Sequence, residues 1–106
     1  MPKYMVHASY TAEGAKGILK SGGSARRKAV EDLLASVGGK LEAFYFTFGS
    51  DDAVVILELP DQVTASTIAL AVNASGAVRS RTFVLIPPEE VDEAVKKRVT
   101  FHRPGE

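Results

Sequence analysis

Two runs rich in aromatic and β-branched residues, Leu41 to Phe48 and Ala53 to Leu59, stand on either side of Gly49-Ser50-Asp51-Asp52. Such residues suit a pleated backbone, and a short polar break containing glycine between two of these runs reads as a hairpin. Strand alternation then assigns the faces. The first run offers Leu41 and Ala43 on one side and Phe44, Phe46 and Phe48 on the other, while the second sets Val55, Leu57 and Leu59 against Val54 and Ile56. Both faces are apolar, so this hairpin needs cover on both sides rather than one side in water.

The rest of the chain supplies one cover. Lys3 to Tyr10 alternates, with Tyr4, Val6, Ala8 and Tyr10 opposite Met5, His7 and Ser9, and reads as a strand. Thr11 is placed to cap a turn or short helix through Leu19, which Gly14 and Gly17 weaken and Gly22-Gly23 ends. Ser24 then caps a helix over Ala25 to Val37, where Val30, Leu33, Leu34 and Val37 recur at helical spacing and Gly38-Gly39 supplies the left-handed stop. Pro60-Asp61 opens a second long helix with the stripe Val63, Ile68, Ala69 and Val72, ended by Gly76. Val78 to Ile86 gives a fourth strand, stopped by Pro87-Pro88. A last helix is expected from about Glu89 to Arg98, acidic in its first turn and basic at Lys96, Lys97 and Arg98, as the helix dipole favours. Residues from about 99 to 106 are expected to form an extended tail.

This order is the split βαβ pattern. It predicts an α+β, ferredoxin-like βαββαβ domain over residues 1–106, with a four-stranded antiparallel sheet, both main helices on one face, and an added C-terminal helix. The other face is left bare yet apolar. A second copy is its simplest cover, so the sequence predicts a homodimer packed sheet against sheet into a barrel-like core, or a larger assembly of such pairs.

Composition removes several classes of function. Thirteen Lys and Arg balance thirteen Asp and Glu, which leaves no basic excess to hold nucleic acid or an anionic membrane. No run approaches a membrane span or a signal-peptide core, so cytoplasmic residence is the expectation. The chain has no cysteine, which rules out disulfides, thiolate nucleophiles and cysteine-ligated metal. No cofactor motif is present, and no cofactor or metal is expected.

Three stretches carry a family likeness: Ala8-Ser9-Tyr10-Thr11-Ala12-Glu13-Gly14-Ala15-Lys16-Gly17, Gly38-Gly39-Lys40-Leu41-Glu42-Ala43-Phe44-Tyr45-Phe46 and Asn73-Ala74-Ser75-Gly76-Ala77-Val78-Arg79. With them the chain resembles the GYD domain family of small bacterial proteins over nearly its whole length. The resemblance implies a dimeric α/β barrel of ferredoxin-like domains and no assigned biochemical function. At the Gly-Tyr-Asp turn that names the family, this chain has Gly49-Ser50-Asp51-Asp52, with Asp51 in place of the tyrosine.

In the inferred topology the end of the first strand meets the beginnings of the third and fourth. That juxtaposition gathers Ser9, Tyr10 and Thr11 with Asp51, Asp52, Asn73, Arg79 and Arg81, and Lys16 can reach over the same end. Polar groups of this kind beside an apolar cavity suit a small polar ligand, although Asp in a hairpin turn and charges at strand ends also occur for local reasons. Ser9, Lys16, Asp51, Asn73, Arg79 and Arg81 are the binding candidates. His7, projecting to the bare face, is the leading general-base candidate, with Asp52 or Tyr10 as partner. Ser21-Gly22-Gly23-Ser24 followed by Arg26-Arg27-Lys28 could hold phosphate at a helix start, against the plainer reading of a hinge with a solvated basic face. The leading expectation is a small-molecule-binding oligomeric domain. The alternatives are a cofactor-independent enzyme resembling monooxygenases or isomerases of this architecture, and a structural or interaction module.

Overall fold

In the computed structural model, which describes residues 1–106, eight elements follow one another: β1 (Lys3–Tyr10), α1 (Ala12–Ser21), α2 (Gly23–Ala35), β2 (Lys40–Phe46), β3 (Ala53–Glu58), α3 (Gln62–Ala74), β4 (Val78–Leu85) and α4 (Pro88–Ala94). The strands form one antiparallel sheet in the order β2-β3-β1-β4. With α2 and α3 as crossovers this is the expected α+β, ferredoxin-like arrangement. No helix is long and apolar enough to cross a membrane.

Local chemistry sets the helix ends. The Thr11 hydroxyl accepts the Gly14 N–H at 3.3 Å, and the Asp61 carboxylate accepts the Thr64 N–H at 2.8 Å, each satisfying a donor that the helix itself leaves free. At Gly14 a Cβ would strike the Ala77 carbonyl, whose oxygen accepts the Thr11 N–H at 3.1 Å, so the start of α1 sits hard against the start of β4. Several expected boundaries move: α1 runs on to Ser21, α2 ends at Ala35 and β2 at Phe46, and two more changes concern the caps. Gly22, at φ 85°, is the N-cap of α2 and Ser24 lies inside its first turn, because the left-handed glycine already turns the chain at the end of α1. The last helix stops at Ala94, so Lys96, Lys97 and Arg98 lie beyond it rather than in its final turn.

Alternation on β1 and β3 directs Tyr4, Ala8, Ala53, Val55 and Leu57 toward the helices, where they are buried with Leu34, Leu59, Ala65 and Val78. Leu34 and Leu59, 1% and 2% exposed, contribute roughly 1.5–3 kcal/mol each by burial. Strand β2 departs from the expected faces. A bulge between Leu41 and Ala43 adds one residue, so Leu41 pairs with Leu57, Phe44 with Val55 and Phe46 with Ala53, and all three face the helices. Leu41 therefore joins Phe44 and Phe46 rather than opposing them.

The open face carries Met5, His7 and Ser9 from β1, Val54 and Ile56 from β3, Ala43 and Tyr45 from β2, and Arg79, Arg81, Phe83 and Leu85 from β4. It is apolar over its centre and polar at the end where β1 finishes. Every residue from Ile86 to Glu106 is exposed. With that arm standing away from the body, the radius of gyration is 17.0 Å, against roughly 13 Å for a compact domain of about 100 residues.

Candidate functional site

The polar end of the open face is organised around Asp51. Its carboxylate meets the His7 imidazole Nδ1 at 3.0 Å, the Arg81 guanidinium at 2.7 Å and the Ser9 hydroxyl at 3.3 Å. The side chain of Asp51 keeps 14% of its surface and that of His7 keeps 25%. The register explains the meeting: His7 stands opposite Arg81 on β4, and Ser9 opposite Arg79, so residues of one strand face share one side. The hairpin then delivers Asp51 from the other edge. Thr47 fixes that turn, with its hydroxyl donating to the Asp51 carbonyl at 2.6 Å.

Burial alone would push the Asp51 carboxyl up, but hydrogen bonds from His7, Arg81 and Ser9 together with the Arg81 charge outweigh it and hold the group below its ordinary value. An ionised carboxylate only accepts, so the His7 proton sits on Nδ1 and the lone pair of the neutral ring is on Nε2. The imidazole packs against Phe83 at a centroid distance of 5.0 Å, and the Arg81 guanidinium lies 5.8 Å from the same ring. His7 is thus held by a carboxylate on one nitrogen and by an aromatic face, with the other nitrogen available.

These groups line an open cleft of about 540 Å³, which also includes Asn73, Arg79 and Ser80 and has no hydrophobic residue in its wall. Asn73 is held in place by its neighbours: its Nδ2 donates to the Ala69 carbonyl and to the Ser80 hydroxyl, and its Oδ1 accepts the Ser80 N–H at 2.7 Å. That clasp ties the end of α3 to β4. Ser80 was not legible as a site residue, because its strand position faces the helices and only the sheet edge exposes it to the cleft. Arg79 is exposed and enters no ion pair of the chain. Arg79 and Arg81 against Asp51 leave one unit of positive charge in the wall before His7 is counted.

The remaining candidates lie elsewhere. The Asp52 carboxylate accepts the Tyr10 N–H at 2.9 Å and its own N–H donates to the Ala8 carbonyl at 2.9 Å, so it splices the hairpin onto β1. The Tyr10 ring points toward the helices, beside Phe46 and Arg26. Lys16 is exposed on α1 and does not line the cleft. The partner of His7 is Asp51 rather than Asp52 or Tyr10. No group of three or more His, Asp or Glu side chains is gathered as a metal would require.

A family model described as GYD domain matches residues 4–95 of the 106-residue chain. No curated protein and no solved structure matches it.

Proposed function

The chain belongs to the GYD domain family, and on that premise we propose that it is an oligomeric module that binds a small anionic molecule at the Asp51 end of its open sheet face. The observation that carries this reading is the wholly polar cleft, with a net positive wall, next to a sheet face that is otherwise apolar. Arginine offers a planar fork suited to carboxylate or phosphate, and the Ser9 hydroxyl, 3.3 Å from Asp51, adds a directional group, while Asn73, whose amide protons go to Ala69 and Ser80, shapes the wall. A second copy laid on the apolar centre of that face would exclude water from the cleft and strengthen each charged contact. The exposed Phe83, Tyr45, Val95 and Phe101 are the further surface such a partner would cover.

A thermal-shift screen of small carboxylates and phosphates tests it, since a ligand at about 100 times its Kd adds roughly 2.7 kcal/mol. Arg79→Gln with Arg81→Gln is expected to weaken the best hit at least about tenfold, equivalent to about 1.4 kcal/mol. Undiminished binding by that double variant would remove the cleft from consideration.

The His7–Asp51 contact at 3.0 Å favours one second reading. In it the same site is a cofactor-independent enzyme, with His7 Nε2 taking a proton from the bound anion and Asp51 steadying the imidazolium that results. His7→Gln would then abolish turnover of a substrate while leaving its binding within a few-fold, and loss of binding with turnover per bound molecule intact would refute catalysis by His7.

A further inference from the structure

The basic segment after Gly22-Gly23 divides in the folded chain. Lys28 pairs with Asp32 at 2.8 Å and Arg27 approaches Glu31 at 3.9 Å, both as solvated pairs one helical turn apart. Arg26 does neither. It turns inward, its guanidinium 5.8 Å from the centroid of the Tyr10 ring, and its Nε is buried with no hydrogen-bond partner. It is the one buried side-chain nitrogen or oxygen of the chain left in that condition. Native proteins seldom leave such a donor unmet, because its desolvation is not repaid.

The surroundings suggest what meets it. Arg26 and Tyr10 line a groove of about 410 Å³ between α1, α2 and the start of β4, within the range of small-ligand sites. Its floor is built of residues that leave space, among them Gly17, Ala25, Ala29 and Ala77. At Gly17 a Cβ would meet nothing within 4 Å. The same two residues also border a narrow apolar slit of about 60 Å³ that runs between α2 and α3 down to the sheet, lined by Val30, Ile68 and Val72. A cation with an unmet donor therefore stands where an open groove passes into an apolar slit.

We infer that this groove is a second ligand site, separate from the Asp51 cleft, and that it takes a small carboxylate with an apolar body. The carboxylate pairs with the Arg26 guanidinium, a turn of which brings the enclosed Nε out to the groove, and the apolar portion lies along the glycine and alanine floor with its end toward the slit. Glu13 also lines the groove, so its wall carries no net charge. The preference for an anion rests on the Arg26 guanidinium alone, since a neutral or cationic amphiphile of the same length leaves that donor unmet or is repelled by it. The polar cleft has the opposite character, so the two sites differ in whether an apolar chain helps.

Hexanoate is the probe, with 1-hexanol and hexylammonium as controls of equal chain length and acetate as the control for the chain. The readout is amide chemical-shift titration on the intact chain. Hexanoate is expected to shift Gly17, Gly22, Ala29 and Ala77, and to bind at least tenfold more tightly than any of the three controls. Arg26→Met is expected to weaken it at least tenfold, whereas Lys28→Gln leaves it within twofold. Should Arg26→Met fail to fold, Gly17→Leu fills the groove with Arg26 intact and is expected to lose binding to the same degree. Shifts confined to His7, Ser9 and Arg79 would overturn the groove and leave the cleft standing. Equal binding of hexanoate and 1-hexanol, or wild-type binding by folded Arg26→Met or Gly17→Leu, would also overturn it.

Discussion

The two faces of the sheet are built from the same strands, one residue out of phase, and they differ more in cover than in composition. Toward the helices, Tyr4, Val55 and Leu57 keep 2%, 5% and 4% of their surface. On the other side Met5, Val54 and Ile56 are only partly buried, and Phe83 and Tyr45 keep 39% and 70%. Side-chain chemistry is similar in the central rows; what differs is that α2 and α3 lie on one of them. The stability of the covered face is thus the property of a single chain, whereas whatever the open face contributes depends on what is laid against it.

Substitutions on the covered face should have the largest effect. Leu57→Ala removes a side chain packed in the cluster of Tyr4, Leu34, Val55 and Leu59, and is expected to cost about 2–5 kcal/mol in urea unfolding at any protein concentration. Val54→Ala, its neighbour on the open face, should cost under about 1.5 kcal/mol in dilute protein, because its methyl groups lack cover on one side. Equal costs for the two at high dilution would mean that the faces are energetically alike and would break the comparison.

Charge placed on the open face sharpens it from the other direction. Ile56 stands between Met5 and Ala43 at the apolar centre, and Ile56→Lys should weaken self-association by at least about tenfold, the effect of losing a central buried contact. Sedimentation over a range of concentrations reads this directly. A wild-type chain that sediments as a monomer at high micromolar concentration would show that the open face tolerates water alone.

How much of this was visible beforehand follows from the same geometry. Strands β1 and β3 were legible because their alternation is unbroken, so Tyr4, Ala8, Val55 and Leu57 could be assigned to one side from spacing alone. The β2 faces were not, because the bulge after Leu41 shifts phase by one residue and leaves no mark in the composition of Leu41-Glu42-Ala43-Phe44. The meeting of β1, β3 and β4 at the polar end followed from topology, which gathered Ser9, Tyr10, Thr11, Asp51, Asp52, Asn73, Arg79 and Arg81; His7, assigned to the bare face on its own, lines the same cleft as Ser9, Asp51, Arg79 and Arg81. Which of two adjacent aspartates faces His7 did not follow. That choice is made by the backbone bond from Asp52 to Ala8, which continues the ladder and turns the preceding carboxylate to the open face. Arg26 was hidden for a similar reason, since nothing in Arg26-Arg27-Lys28 says which cation turns inward.

The smallest expected effect tests the polar end of the open face by pH. Asp51 is held below its ordinary value by His7, Arg81 and Ser9 against the opposing push of burial, so the unfolded chain binds its proton first as pH falls. The stability this contributes is present above the ordinary aspartate value near about 4 and is lost as pH drops through the lower folded value. Asp61, held down by the Thr64 N–H and hydroxyl, titrates with the same sign at the far end of the domain. Urea unfolding from about pH 6 to about pH 2 should therefore show a wild-type loss that Asp51→Asn flattens in part and Asp51→Asn with Asp61→Asn flattens further. Because Asn keeps an acceptor oxygen for Ser9 and Arg81 but not the charge, the change isolates the ionised carboxylate from the shape of the cluster. An Asp51→Asn slope equal to that of wild type would mean that the short contacts around Asp51 position groups without stabilising the charge, and the contrast between the two faces would then rest on apolar cover alone.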